Sequence, residues 1–353
     1  MSAPLLSITG IGSVTPFGPA AGLLSNLTIA PEAIMSWPNA EARRAFQVKP
    51  FNPAKLVPGA KTRRLDRLSC WALVAASLAF QDASLDLDAI DRGRVAVVFA
   101  SGLGCTELTE EFFRSAARNG WNGTDPITFP ETLANVPACH IALFHGLRGP
   151  NLTVSGENFA AEIALLRAAS LLRHGQADRA LVVAGDALSP AVFQWYESAG
   201  LLAPACFTAN PPVPAEGFIP GEGMVALLLE RTPAGQGRIY AQLAGGRHAR
   251  RGDPAQAVRE IFSSQPALIY SAGHGSPCMA HSLAGAMLPS AARPFAGEDL
   301  PVVAALAVAE GLGASGGLFH LLLALSRHAV SAPTLLLGVA AGGGFAALRL
   351  EAS

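Results

Sequence analysis

Short apolar runs with no polar face constrain this chain more than any other feature. Arg94 to Ala100 and Arg179 to Gly185 are nearly continuous Val, Ala and Leu, and Met224 to Glu230 repeats the pattern. A strand with one face in water alternates apolar and polar residues, whereas a strand covered on both faces does not. Between these runs lie segments with apolar residues at helical spacing, Leu65 to Ala83 and Ala160 to His174. Leu5 to Gly10 adds an opening strand. The expected class is α/β, with sheets buried between layers of helices.

The second half repeats the rhythm. Ala267 to Ser271 reads as a strand and Gly317 to His328 as a helix. Thr334 to Val339 and Phe345 to Leu350 read as strands joined by the glycine run Gly342 to Gly344. Two halves of similar order imply a duplicated unit. The seam is expected near Arg231 to Gly237, dividing the chain into residues 1–235 and 236–353. Half of the 353 residues are apolar and 14% are charged, enough for a large core.

Several function classes are excluded at this level. No apolar run reaches the ~20 residues of a membrane span, and Met1 to Ile8 has no early basic residue, so no signal peptide is expected. Net charge is -1 with both signs scattered, which does not fit a nucleic-acid partner. Two basic clusters, Lys61 to Arg64 and Arg247 to Arg251, read first as solvated surface. The five cysteines (70, 105, 139, 206 and 278) show no CxxC spacing, so neither a zinc site nor a disulfide framework is expected. A cytoplasmic protein without metal or cofactor fits best. Gly10-Ile11-Gly12 lacks the third glycine of a dinucleotide fingerprint and runs on to Pro16, so it reads as a structural turn.

Several blocks, taken in order, are similar to the β-ketoacyl synthase family over nearly the whole chain. Ile8 to Gly18 resembles the family's opening strand and turn, and Arg64-Leu65-Asp66-Arg67 its first helix start. Asn135 to Ala142 and Gly149 to Ser155 resemble the approach to the catalytic elbow, and Gly217 to Gly223 a further block. The resemblance implies a thiolase-like, five-layered αβαβα fold built from two similar halves, each expected to hold a mostly parallel sheet. It also implies a chemistry. A cysteine at the elbow, activated by a helix N-terminus, takes an acyl chain, and two histidines assist decarboxylation of a malonyl unit.

The reactive positions depart from that pattern. Where the family carries T-A-C-[AS]-S-G, this chain reads Gly156-Glu157-Asn158-Phe159-Ala160-Ala161, which puts Asn158 in the cysteine's place. An amide nitrogen has no usable nucleophilic lone pair. No cysteine lies between Cys139 and Cys206, so a small shift of register does not restore one. His274 matches the first histidine. In the second block, Leu312-Gly313-Ala314 sets the register and Glu310 falls at the histidine, where a carboxylate would repel an enolate. His320 reads as a packed or surface residue of the next helix. The closing glycine block carries Ala341 where the family has a gating phenylalanine, followed by Gly342. Asn158 is expected at the start of a buried helix, close to His274, Glu310 and the Gly342 to Gly344 turn.

A scaffold kept without its nucleophile resembles the chain length factors of type II polyketide systems. The shorter chain and small loops resemble the kind found in aryl polyene or related polyene pathways. The resemblance implies a protein inactive alone, paired in a heterodimer with an active ketosynthase; the complex would be the acyltransferase. It also implies service by an acyl carrier protein bearing a phosphopantetheine-linked chain, with the basic clusters as one docking patch. Pairing would run along Asn151 to Ser155, and Phe129, Thr132 and Leu133, with Ala341 and Gly342, would line the acyl path. Two alternatives stay open: a malonyl-carrier decarboxylase-like protein, since an amide also stands at the elbow of loading domains, and an atypical synthase using Glu310 or His274 as a base.

Overall fold

The computed structural model describes residues 5–25, 32–33, 44–62, 65–156, 159–202, 219–231, 238–262, 268–274, 302–303, 316–327, 333–340 and 344–352. Its strands in chain order are β1 (Leu6–Thr15), β2 (Gly18–Ala21), β3 (Glu32–Ala33), β4 (Arg44–Ala45), β5 (Val95–Ser101), β6 (Asn151–Ser155), β7 (Arg179–Asp186) and β8 (Gly223–Arg231). The second half adds β9 (Ala241–Ala249), β10 (Leu268–His274), β11 (Val302–Val303), β12 (Thr334–Ala340) and β13 (Phe345–Glu351). The helices are α1 (Arg67–Asp82), α2 (Thr106–Asn119), α3 (Thr128–Glu131), α4 (Val136–His145), α5 (Ala160–Arg173), α6 (Pro190–Ser198), α7 (Pro254–Ile261) and α8 (Gly316–Arg327).

The strand order states the duplication directly. The first half runs β6-β5-β7-β8-β1 and the second β11-β10-β12-β13-β9, the same permutation of the same chain order. A short antiparallel contact between Leu6–Ile8 and Ala241–Leu243 joins the two. The sheets are mixed rather than mostly parallel. In each half the three outer strands pair parallel, and the remaining two pairings are antiparallel. A parallel pair needs a crossover of roughly a dozen residues; β12 and β13 are joined by only residues 341–344, so they must form a hairpin. The seam expected near residue 235 falls at 232–237, outside the described residues.

Alternation along the strands builds the layers. Val97 and Phe99 of β5, with Leu181 and Val183 of β7, face α1 and α4 in one core. Their neighbours Val98, Ala100, Val182 and Ala184 face α5 and α8 in another, which also takes in Leu336 of β12 and Leu348 of β13. Leu335, Leu337 and Ala347 face the opposite way, onto Ala257 and Val258 of α7. Helices outside, sheet, paired central helices, sheet and helix outside give the five-layered thiolase-like fold.

Gly10-Ile11-Gly12 is not a turn. It lies in the middle of β1, buried throughout. A Cβ at Gly10 would stand 2.3 Å from the Ala79 carbonyl oxygen, and one at Gly12 2.0 Å from that of Ala75. The glycines let α1 rest on the strand's backbone, a close approach that a side chain would block.

Candidate functional site

Among the described residues, β6 is the outermost strand of its sheet and pairs only with β5. Asn151, Leu152 and Ser155 are exposed. The strand ends at Gly156, whose φ of +71° suits a residue without a Cβ. Its N–H donates to the Ser101 carbonyl oxygen at 3.3 Å. Phe159 stands at the N-cap and α5 begins at Ala160. The strand–turn–helix form of the expected elbow is therefore present, but Glu157 and Asn158 themselves lie outside the described residues, as do Glu310, Ala341 and Gly342.

Among the described residues, the start of α5, the end of β10 and the β12–β13 hairpin come together, while the segment holding Glu310 lies outside them. His274 is the last residue of β10, in parallel register with Ala340 at the end of β12. The Phe159 ring lies against Gly338 of β12 and against Gly344, which leads into β13. The start of α5 thus abuts the β12–β13 hairpin, and β10 ends beside it. Next to this elbow stands an acid that the sequence reading missed. Glu162, in the first turn of α5, is fully buried. It was detectable as a lone carboxylate in the apolar run Phe159 to Leu166. His320 is buried in α8, its Nδ1 2.9 Å from the Gly316 carbonyl oxygen.

The elbow rests on a second buried acid. Asp186, at the end of β7 and 2% exposed, accepts from the Ser101 hydroxyl, from Leu103 N–H at 2.8 Å and from Gly102 N–H at 3.3 Å. Ser101 Oγ in turn accepts from Gly104 N–H at 2.8 Å. The same residue that receives Gly156 is thereby held in place.

The family-like blocks Arg64 to Arg67 and Gly217 to Gly223 meet in space. Arg67 reaches Glu222 at 3.0 Å and Glu107 at 3.0 Å, and donates to the Leu188 carbonyl oxygen at 2.7 Å. Glu222, with no exposed side-chain surface, also accepts from Val48 N–H and Leu188 N–H. Burial pushes its carboxyl up, and Arg67 and the two N–H donors pull it back. Asp66 caps α1, accepting from Leu68 N–H at 3.3 Å. Burial, then nearby Glu107, raises it from its ordinary 3.8 to about 6. A carboxyl raised in the folded state stabilises most when protonated, so its contribution is full below about pH 4 and lost as pH rises through about 6. Asp66→Asn keeps the cap and removes the charge. It is expected to match the parent at pH 4 and exceed it by on the order of 2 kcal/mol at pH 8, measured by urea unfolding at both pH values.

Buried Cys70 and Cys105 do not offer an alternative nucleophile. Burial pushes the Cys70 thiol up to about 11 and the Cys105 thiol up to about 12, so neither offers a thiolate at neutral pH. Cys206 and Cys278 lie outside the described residues.

Phe129 lies on α3, and Thr132 and Leu133 just after it, against α2. Phe129 is 53% exposed and Leu133 46%. Thr132 donates its hydroxyl to the Phe129 carbonyl oxygen at 2.7 Å, and its own carbonyl accepts from Thr109 Oγ1 of α2. The Phe129 ring packs tilted against that of Phe112, with centroids 5.7 Å apart. Ile127, Leu143, Phe144 and Leu152 are exposed as well. Leu143 and Phe144 line a cavity of about 920 Å³ shared with Thr128, Glu131 and His140; Glu131 and His140 pair at 2.8 Å. Of the basic clusters, Lys61 is exposed at that cavity, Arg63 and Arg64 lie outside the described residues, and Arg247 pairs with Glu260. Among the described residues, no helix is long and apolar enough to cross a membrane.

Comparison with known proteins places this geometry. The chain is 26% identical to the 3-oxoacyl-[acyl-carrier-protein] synthase 2 of Vibrio cholerae, over 69% of this chain and 63% of that protein. It spans about three fifths of the length of the synthases of this kind that it matches. It is 27% identical to the tetracenomycin polyketide synthase ketoacyl synthase beta subunit of Streptomyces glaucescens, over 97% of this chain and 91% of that protein. The ishigamide ketosynthase/chain length factor shares its fold with a TM-score of 0.71 at 21% identity, covering 99% of both chains. The family described as β-ketoacyl synthase, N-terminal domain, matches residues 7–234. With well over half of the sequence matched and the same five-layered fold, the chain belongs to the β-ketoacyl synthase family.

Proposed function

We propose that this chain is a non-catalytic ketosynthase-like subunit, a chain length factor, that pairs with an active β-ketoacyl synthase and shapes the acyl path of the complex. The observation that carries the reading is the exposed edge strand β6, which leads straight into an elbow whose nucleophile position is Asn158. An edge strand left bare presents unpaired backbone groups to any other strand. Here it carries exposed Leu152, and α4, which packs against it, carries exposed Leu143 and Phe144, a surface suited to a stable partner. The near full-length likeness to a ketoacyl synthase beta subunit supports the same reading. In it, residues 1–235 and 236–353 form the two halves. Asn158, His274 and Glu310 are degenerate active-site positions, and Phe129, Thr132, Leu133, Ala341 and Gly342 bound the acyl path. The substrate chain arrives on an acyl carrier protein, for which the basic clusters offer a docking surface, in a polyene or related pathway of the cytoplasm.

The test is reconstitution. The isolated chain and its Asn158→Cys variant are expected to give no condensation from acyl- and malonyl-carrier thioesters. Mixed with an active ketosynthase of the same gene cluster, the chain is expected to co-purify and to yield a product of defined length. Turnover above background by the isolated chain, or indifference to the ketosynthase, would sink the proposal.

A further inference from the structure

We infer that the cleft between the last turns of α5 and the outer edge of β9 binds the phosphate group of a small molecule; the inference goes beyond the subunit role and does not rest on it. β1 and β9 pair only over Leu6–Ile8 and Ala241–Leu243. From Gly245 to Ala249, β9 pairs only with β13 among the described residues. A cavity of about 420 Å³ opens there, lined on α5 by Leu166, Ser170, Arg173 and His174 and on β9 by residues 246–248. At a rise of about 1.5 Å per residue, Arg173 stands about 20 Å along the helix from Phe159. The cleft is therefore at the far end of α5 from the elbow.

Charge points to the ligand. Ser170, Arg173 and His174 are three and four residues apart and share one face of α5. A Cβ at Gly246 would stand 2.8 Å from Leu166 Cδ2, so Gly246, and with it His248 two residues on, lie on the α5 side of β9. Arg247 pairs with Glu260 of α7. Among the described residues lining the cavity, none is acidic. His174 is fixed by its Nδ1, 2.8 Å from the Ser170 carbonyl oxygen. Half-buried Arg173 is the centre of the cleft. Its Nη2 donates to the Leu243 carbonyl oxygen at 3.4 Å and to that of Ala244 at 3.1 Å. Its Nε is buried with no acceptor among the described residues. Burial pulls its pKa down, and no described carboxylate opposes that. Two carbonyl dipoles replace the lost hydration only in part, and an anion would supply the missing counter-charge. A phosphate brings nearly two negative charges and three strong acceptor oxygens. The guanidinium fork, the Ser170 hydroxyl and the two imidazoles match that many acceptors better than they match a flat carboxylate. The remaining volume, floored by Leu166, leaves room for the organic part of the ligand.

The probe is inorganic pyrophosphate, titrated calorimetrically into the isolated full chain at neutral pH and low salt. Wild type is expected to bind it saturably at one site and to show a rise in Tm with it. Arg173→Gln is expected to weaken binding about tenfold or more, and His248→Ala about threefold. Arg118→Gln, which removes an exposed cation of α2, is expected to leave binding unchanged. Succinate, a dianion with flat carboxylates, is expected to bind about tenfold more weakly than pyrophosphate. No saturable binding by wild type overturns the inference, as does equal binding by a folded Arg173→Gln protein or by succinate. If Arg173→Gln does not fold, Arg173→Lys, which keeps the charge and loses the fork, and His248→Ala decide in the same way. An acyl carrier protein without its phosphopantetheine arm completes the set. If Arg173→Gln weakens binding of that protein while pyrophosphate does not saturate, the cleft serves an acidic protein surface and the phosphate assignment falls.

Discussion

Arg67→Ala is expected to destabilise the folded chain by on the order of 3 kcal/mol, among the largest effects of any single change outside the apolar core. The guanidinium is the cationic partner of Glu222, whose side chain is fully buried, and it ties together α1, Glu107 of α2 and the Leu188 carbonyl. Removing it leaves a buried carboxylate with only two N–H donors. Breaking such a pair costs more than the pair contributes, because the remaining charge is uncompensated. The sign of the pH dependence follows. Burial already raises Glu222, and loss of Arg67 removes a cause that lowers it. A raised carboxyl loses its stabilising contribution as pH rises, so the deficit should be larger at pH 8 than at pH 5. Arg67→Ala with Glu222→Gln should recover part of it. Urea midpoints for both single variants and the double at the two pH values make the measurement. A deficit under 1 kcal/mol at pH 8, or one that grows toward low pH, would show that the ion pair does not hold these blocks together.

The second large effect concerns association. Leu152→Asp is expected to weaken pairing with the ketosynthase more than 100-fold, about 3 kcal/mol, with little change in the stability of the isolated chain. Leu152 is 39% exposed on the edge strand, so a carboxylate there stays hydrated in the monomer. In a complex built across β6 it would be desolvated without a counter-charge. Leu23→Asp, 41% exposed beside β2, is the control and should leave pairing unchanged. Sedimentation of mixed subunits separates the outcomes. Equal affinities for Leu152→Asp and wild type would move the partner surface away from β6.

Much of the fold was legible because its signal is local. The run expected as a helix from Ala160 to His174 forms α5 over Ala160–Arg173, and the strand expected at Asn151 to Ser155 is β6. Apolar periodicity marks such elements within one window of sequence. Pairing direction is not in that window. The mixed sheets follow from which strands a connection of given length lets meet, and β9, with its two central glycines, carries too weak an apolar pattern to announce itself. The same limit hid the role of Gly10 and Gly12, which depends on the backbone of a helix some 65 residues away. It hid the Arg67–Glu222 pair too, whose members are 155 positions apart.

For function, sequence alone carries the proposed loss of chemistry. Whether a position holds a thiolate or an amide is a property of the residue itself, and Asn158 has no usable nucleophilic lone pair in any fold. Tertiary structure decided where the space went. Phe159 and Glu162 are ordinary residues at the start of a helix until Gly317, Gly338 and Gly344 are brought against them. It also decided that β6 lies at the edge of its sheet, with no strand paired on its outer side among the described residues. Volume and exposure are set by what packs against a residue, and those neighbours come from parts of the chain that sequence proximity does not connect.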